Sequence, residues 1–186
     1  MTTMTVPVYD TELEQSLLER VQRGDGDALA TLFRRYAADL HRLVYRLLGS
    51  RDDADDVVQD VFVGLRHALA RYEPRGRFDV WLRRVAARTA LMRLRADRRR
   101  RARAEHVVTE PRVLPVDDTA LGSELARAID ALPEALRVVF VLRMIEGFSH
   151  DEIAAALDTS VGASKVRLHR ALKRLQSALD HLRQDS

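Results

Sequence analysis

Thirteen arginines lie between Arg71 and Arg103, against three acidic residues, so this stretch carries a net charge of about +10. At 100° per residue, a helix over this stretch has five arginines on one side. These are Arg84, Arg88, Arg95, Arg98 and Arg99. No acidic residue stands four positions from any of the five. The pattern therefore predicts a surface that binds the phosphates of a nucleic acid rather than a solvated charged face.

The opposite side of the same predicted helix is apolar. Its members are Leu82, Val85, Ala86, Thr89, Met92 and Ala96. One side is therefore expected to pack in a core while the other meets anions.

A second charged stretch has the opposite sign. Asp52 to Asp60 contains five aspartates and no basic residue. It opens a predicted helix from about Asp53 to Arg71, and acidic residues in a first turn are favoured by the helix dipole. Opposite fields in neighbouring segments indicate two different partners.

The third motif lies near the C-terminus, in FSHDEIAAALDTSVGASKVRLHRALKRL (148–175). Ser149 and Glu152 form a capping-box pattern, which predicts a helix start. After about two turns, Ser160 can cap a second helix, so the stretch predicts a helix-turn-helix. On the second helix Val161, Ser164, Leu168, Ala171, Leu172 and Leu175 share one side.

The other side of that second helix suits a DNA major groove. It carries Gly162, Ala163, Val166, His169, Arg170 and Lys173. Small residues allow close approach, Lys173 suits a phosphate, and Arg170 can bind guanine in a bidentate manner. An ordinary helical hairpin with a basic surface is the alternative, and the combined motifs favour DNA binding.

No catalytic pattern is found. The chain has no cysteine, its six histidines form no i, i+4 pair, and neither a phosphate loop nor a nucleophile elbow occurs. We expect no enzymatic activity, no metal and no cofactor.

The elements that carry these motifs are all predicted helices. Helical periodicity runs through nearly every segment, without period-2 alternation. Further helices are expected at about Thr11 to Arg23 and Asp27 to Leu48, and Pro133 should occupy the first position of another. Leu29, Leu32, Phe33 and Tyr36 begin the apolar stripe of the second of these helices.

The sequence predicts an all-α protein of two small helical domains joined by a flexible linker. The first domain spans residues 11–102, the Pro-containing linker 103–119, and the helix-turn-helix domain 120–183. No run of about 18 apolar residues and no signal peptide occur, so we expect no membrane insertion and a cytoplasmic location.

Together these motifs resemble a known family. The stretch 148–175 is similar to the second-domain motif of the extracytoplasmic-function (group IV) sigma factors of bacterial RNA polymerase. An independent match lies in DADDVVQDVFVGLRHAL followed by YEPRGRFDVWLRRVAARTALMRLR, which resembles that family's first conserved domain. The resemblance covers about residues 12 to 178.

The resemblance implies a transcription initiation factor that binds the β and β′ subunits of core RNA polymerase and helps to melt promoter DNA. By this resemblance, the polymerase-docking residues are Asp55, Asp56, Gln59 and Asp60. The candidates for the minus-ten element are Arg75, Arg77, Trp81, Arg84, Arg88 and Arg95. Two roles stay open for Trp81, stacking on an unpaired base or packing in the core.

The resemblance also implies that the second domain reads the minus-thirty-five element. Its candidate residues are Ser160, Gly162, Ala163, Lys165, Val166, His169, Arg170 and Lys173. An anti-sigma factor is a further partner that the family implies. Two other functions remain as alternatives, a free-standing helix-turn-helix regulator and a helical adaptor that binds only proteins.

Overall fold

The computed structural model describes residues 11–72, 77–103 and 120–184, and these are helical without any strand. The predicted linker therefore lies almost entirely outside the described residues. The first domain comprises α1 (Thr11–Gln22), α2 (Gly26–Leu48), α3 (Arg51–Val63), α4 (Leu65–Leu69) and α5 (Phe78–Arg103). The second domain comprises α6 (Ala120–Asp130), α7 (Glu134–Phe140), a π-helical turn (Val141–Ile145), α8 (His150–Leu157) and α9 (Val161–Gln184). The all-α prediction is confirmed.

Helix α2 is the centre of the first domain, where it packs against α1, α3 and α5. Asp25 begins it by accepting hydrogen bonds from the backbone N–H groups of Asp27 and Ala28, at 2.9 and 3.1 Å. Gly49 ends it in the left-handed region, at φ 79°, where a residue without Cβ is favoured. The apolar stripe between these caps includes the fully buried Leu32 and Leu40.

The single helix predicted from Asp53 to Arg71 is interrupted at Gly64, which separates α3 from α4. The Gly64 N–H still bonds to the Asp60 carbonyl, at 2.9 Å, so the interruption is short. A Cβ at this glycine would lie only 3.3 Å from the same carbonyl oxygen. Glycine therefore allows a close approach that the helical pattern did not reveal.

In the second domain, α7 begins at Glu134, one residue later than predicted, because Pro133 has an extended ψ of 139° and acts as the cap. The π-helical turn follows α7 directly, and Gly147 (φ 70°) then reverses the chain. Phe148 is almost fully buried beyond this reversal, at 1% exposure. The turn thus delivers Phe148 and the start of α8 to the face that meets the first domain.

The predicted helix-turn-helix is present. The Ser149 side chain accepts from the Glu152 N–H at 3.1 Å, and the Glu152 carboxylate accepts from the Ser149 N–H at 2.8 Å. Asp158 ends α8 in the left-handed region, with φ 51°. The Ser160 hydroxyl then caps α9 by accepting from the Ala163 N–H at 3.0 Å. Both predicted caps are confirmed.

The two domains contact one another, through α2 with α7 and α5 with α8. Their buried apolar residues form one continuous cluster that includes Leu82, Phe148 and Ile153. Within the three described ranges, no helix is long and apolar enough to cross a membrane.

We expect Ser149→Ala to lower the free energy of unfolding by about 1 kcal/mol, because the substitution leaves an N–H group at the start of α8 without its cap. Urea unfolding followed by helical circular dichroism measures the loss. Ser177→Ala is the matched control, since that hydroxyl only bonds back to Lys173 on an exposed helix surface, and we expect a change within about 0.5 kcal/mol. Equal losses in both variants would contradict the cap assignment.

Candidate functional site

The outward face of α9 is open to solvent. Val166 is 49% exposed, and the side chains around it are exposed as well. Of the predicted minus-thirty-five residues, those exposed are Ser160, Gly162, Lys165, Val166, His169, Arg170 and Lys173. Ala163 is half-buried. The structure thus exposes Gly162, Val166, His169, Arg170 and Lys173 on one face, as the spacing predicted, and contact of the whole set with DNA stays a prediction.

The inward face of α9 differs from the prediction at one residue. Ala171 and Leu175 are buried, but Leu172 is 42% exposed, because it lies at the edge of the apolar stripe. Ser164 is fully buried, and its hydroxyl lies 2.9 Å from Nδ1 of His150. This hydrogen bond satisfies the one polar group of the stripe and joins α9 to the first turn of α8.

The predicted polymerase-docking carboxylates do not have equal surroundings. Asp55 lies 3.1 Å from Nε2 of His41. Asp56 accepts from Arg93 at 3.0 Å, and the same guanidinium reaches Asp53 at 2.7 Å. Gln59 and Asp60 are exposed, and among the described residues no ion-pair partner of Asp60 is found. Asp60 is therefore the carboxylate of this set most available to a partner.

A groove of about 580 Å³ runs between α2 and α3 beside these residues. It is lined by Phe33, Ala37, Ala38, His41, Asp55, Val58 and Gln59. Phe33 is 44% exposed and packs edge-on against Phe62, with ring centroids 4.9 Å apart. Phe33 was predicted to belong to the apolar stripe of α2, and this prediction is wrong because α3 covers only part of the ring.

On α5, Leu82, Ala86, Ala90 and Leu91 are buried, whereas Met92 is 62% exposed. The expected packing side was therefore wrong at Met92, and the buried arc is rotated toward Leu91. A helical wheel shows roughly how wide the buried arc of a helix is. It does not fix the edges of that arc when the residues on either side of it are apolar as well.

The start of α5 holds an aromatic cluster. Trp81 is half-buried, with its ring 4.8 Å from that of Tyr72 and 5.6 Å from that of Phe78. Arg77 binds Asp79 through two hydrogen bonds, of 3.1 and 2.7 Å. Arg75 lies outside the described residues. Trp81 is thus anchored by packing yet keeps part of its surface accessible.

The remaining minus-ten candidates, Arg84, Arg88 and Arg95, face the second domain. The Arg84 guanidinium carbon lies 5.6 Å from the centre of the Phe148 ring, and Nη2 of Arg95 donates to the Ala155 carbonyl. Arg88 is exposed and lines a groove of about 370 Å³ between α5 and α8. The side predicted to meet nucleic acid is therefore partly covered.

Glu152 lies in the same groove and remains a carboxylate. The hydrogen bond from the Ser149 backbone N–H lowers the pKa of Glu152, and the positive charges of Arg84 and Arg88 lower it further. Glu152 thus has two roles, since it caps α8 and lies close to the two arginines.

Comparison with known proteins agrees with this geometry. The family model for sigma-70 region 2 matches residues 32–100, and that for sigma-70 region 4 matches residues 123–175. The ECF RNA polymerase sigma-E factor of Escherichia coli is 33% identical over 183 residues, covering 91% of this chain and 95% of the relative. The ECF sigma factor SigE of Mycolicibacterium smegmatis is 34% identical over 157 residues, covering 80% of this chain and 60% of that longer protein.

A solved structure shares the fold. The sigma factor RpoE of Bartonella quintana, crystallised with the anti-sigma factor NepR, superposes with a TM-score of 0.58 at 22% identity, covering 81% of this chain and 96% of RpoE. With two family models matching in the order of the two domains and a relative aligned over nearly its full length, the chain belongs to the extracytoplasmic-function family of RNA polymerase sigma factors.

Proposed function

We propose that this sigma factor docks on core RNA polymerase through α3 and the adjoining groove, and reads promoters through α5 and α9. The observation that carries the proposal is the separation of charge in one chain. A largely apolar groove lies beside the aspartates of α3 on one surface, and arginine- and lysine-bearing faces lie on two other helices. A free-standing regulator has no use for the first of these surfaces.

The docking surface combines an aromatic anchor with acidic residues. Phe33 offers exposed apolar area, Asp55 and Gln59 line the same groove, and Asp60 is exposed on the same helix as these two residues. Interfaces of this kind derive most of their affinity from buried aromatic anchors and their specificity from charge complementarity. The partner surface on polymerase should therefore be basic with an apolar pocket.

Helix α9 suits the minus-thirty-five element. Its N-terminal turn offers the small Gly162 and Ala163, beyond which Lys165, Val166, His169 and Arg170 can reach base edges in a major groove. Lys173 lies farther along and suits a phosphate.

Helix α5 and Arg77, the residue before it, suit the minus-ten element. Arg77, Arg84, Arg88 and Arg95 supply positive charge for a separated strand, and the accessible part of Trp81 supplies a stacking surface. We assign this role to residues 11–102 and the minus-thirty-five role to residues 120–183, with residues 103–119 as the connection.

The mechanism needs no chemistry from this chain. Sigma factors are initiation factors, and we propose that this one binds and positions DNA in the cytoplasm while polymerase forms the phosphodiester bonds. Bartonella RpoE is bound by the anti-sigma factor NepR, and we propose that an anti-sigma factor likewise restrains this protein.

Reconstituted transcription tests the function. With bacterial core polymerase and a fragmented genomic library, we expect this protein to produce discrete new RNA 5′ ends that share two spaced upstream elements. Asp60→Lys should abolish these starts and the binding of core polymerase, because it reverses an exposed charge without breaking an ion pair. Reversing the charge of Asp56 would be a less specific test, because it also removes the ion pair with Arg93.

Asp180→Lys is the control, since it makes the same charge change on an exposed site of α9 and should leave the starts intact. Retention of polymerase binding by Asp60→Lys would reject α3 as the docking surface. Absence of starts, together with a footprint by the protein alone, would favour the regulator.

Two substitutions on α9 separate base recognition from phosphate binding. Arg170→Ala should relax preference at one or two bases of the minus-thirty-five element, each lost bidentate contact costing about 1–3 kcal/mol. Lys173→Ala should weaken all sequences equally and reduce the dependence on salt. Transcription from a randomised promoter library measures both effects. An unchanged base preference in Arg170→Ala would show that another residue recognises the base.

A further inference from the structure

Helix α1 carries a buried carboxylate on its otherwise apolar inner side. The helix packs on the first domain through Leu17, Leu18 and Val21, and Glu14 lies on the same side, at 9% exposure. Oε1 of Glu14 accepts a hydrogen bond from the hydroxyl of Tyr36 on α2, which is itself only 6% exposed. A polar contact between buried side chains therefore joins α1 to the central helix of the domain.

Stability alone does not account for the pairing of Glu14 with Tyr36. Removing a carboxylate from water costs free energy, and a well-packed apolar pair in its place is often as stable or more stable. Burial, together with the hydrogen bond to Glu14, raises the pKa of Tyr36 above its usual value, so the phenol remains a donor at physiological pH. What the hydrogen bond supplies beyond stability is a fixed orientation for the two side chains.

The Tyr36 ring connects Glu14 to the aromatic cluster at the start of α5. It packs edge-on against Phe78, the first residue of α5, with ring centroids 5.5 Å apart. Phe78 is 1% exposed, and its ring lies 5.8 Å from that of Tyr72 and 5.6 Å from that of Trp81. Because contacts between aromatic rings depend on their relative orientation, a ring fixed at Tyr36 constrains the rings that follow.

Helix α1 also acts on the other side of residues 73–76, which lie outside the described residues. Nε2 of Gln22 donates to the Leu69 carbonyl at 3.1 Å, and the same carbonyl accepts from the Tyr72 backbone N–H, also at 3.1 Å. The match to sigma-70 region 2 begins only at residue 32, so α1 lies outside it. This helix thus supports both flanks of residues 73–76, directly on one side and through Tyr36 on the other.

We propose that Glu14 is a positioning residue for recognition of the minus-ten element. Through Tyr36 and Phe78 it fixes the orientation of the Trp81 ring, on which an unpaired base of the opened promoter stacks. Glu14 itself does not touch DNA. The stacking role of Trp81 is part of the proposed function and this inference rests on it, whereas the fixed orientation of the ring does not.

Trp81 is the only tryptophan of the chain, so its fluorescence reports on one ring without labelling. In the unchanged protein we expect the anisotropy to decay with the tumbling of the domain, because the ring is held. Glu14→Leu removes the acceptor while keeping apolar bulk, and it should add a faster component from local motion of the ring. Glu14→Gln keeps an acceptor for the Tyr36 hydroxyl and should retain the slow decay.

Binding of the holoenzyme to pre-melted promoter DNA tests the consequence for recognition. The probe is a promoter found by reconstituted transcription, with abasic sites placed one at a time in the non-template strand of its minus-ten element. One abasic site should weaken binding by the unchanged protein about 5- to 150-fold, the range that stacking of a base on an aromatic ring covers. In Glu14→Leu the effect of that site should be several-fold smaller, because the intact base no longer stacks well. A general loss of folded protein would weaken binding to intact and abasic DNA equally and leave their ratio unchanged.

Glu19→Leu is the matched control, since it makes the same change at an exposed position of α1. Both the anisotropy decay and the abasic effect should stay as they are in the unchanged protein. The double variant Glu14→Leu with Tyr36→Phe removes both hydrogen-bonding groups, so it should recover stability that the single variant loses. We expect it to keep the faster ring motion and the reduced abasic effect, because the orientation is not restored.

The outcomes distinguish failure of this inference from failure of the proposed function. If Trp81→Ala binds the intact promoter as tightly as the unchanged protein, the stacking role is rejected and the positioning role with it. If Trp81→Ala weakens binding while Glu14→Leu leaves the abasic effect unchanged, the proposed function stands and the positioning role is overturned. Full recovery of the abasic effect in the double variant would also overturn it, since the hydrogen bond would then serve stability alone.

Discussion

The guanidinium groups of α5 need acceptors wherever they are buried, and this requirement acts together with the shared apolar cluster where the two domains meet. The apolar side of the helix packs into the first domain through Leu82 and Ala86. The next arc of the helix carries guanidinium groups. Covering it with apolar residues alone would bury these charges without hydrogen-bond acceptors. It is covered instead by the Glu146 carboxylate, the face of Phe148 and the Ala155 carbonyl, which together accept from or contact three arginines.

Arg137 of α7 meets the same requirement through backbone carbonyls. It is 2% exposed, and its guanidinium donates to the carbonyls of Arg46 and Leu132, each at 3.0 Å. Both carbonyls lie at or near the C-terminal ends of helices, α2 and α6, where the aligned peptide dipoles are negative. Backbone carbonyls thus contribute to stabilising this buried cation. The arrangement ties the end of α2 to the second domain.

Local features of this fold could be predicted from sequence because their causes are local. The Ser149–Glu152 capping box, the Ser160 cap and the outward face of α9 each depend on residues within about four positions of one another. Such features follow from helix geometry and hydrogen-bond satisfaction alone. The resemblance added the order of the two domains, and the family comparison supports it.

Features that depend on contacts between distant segments could not be predicted in this way. Phe33 is exposed because α3 leaves a groove beside it, and Met92 is exposed because the buried arc of α5 turns toward Leu91. Arg83 meets Glu146 across 63 positions of sequence. A helical wheel shows which residues share a face. Which segment packs against that face depends on the fold of the whole chain.

The arginines of α5 also have a structural role in these contacts. The arginine side of α5 suits a nucleic acid, yet the free chain already uses part of it to hold α8. Guanidinium groups can exchange a carboxylate or a carbonyl for a phosphate without losing their hydrogen bonds, so these side chains are chemically suited to either kind of partner. Two weak DNA-binding faces then gain strength only when a third body holds them at a common spacing, because the second contact becomes intramolecular. The arginines that contact α8 are therefore among the side chains that we propose for the minus-ten strand, whereas the groove between α2 and α3 is lined by other residues.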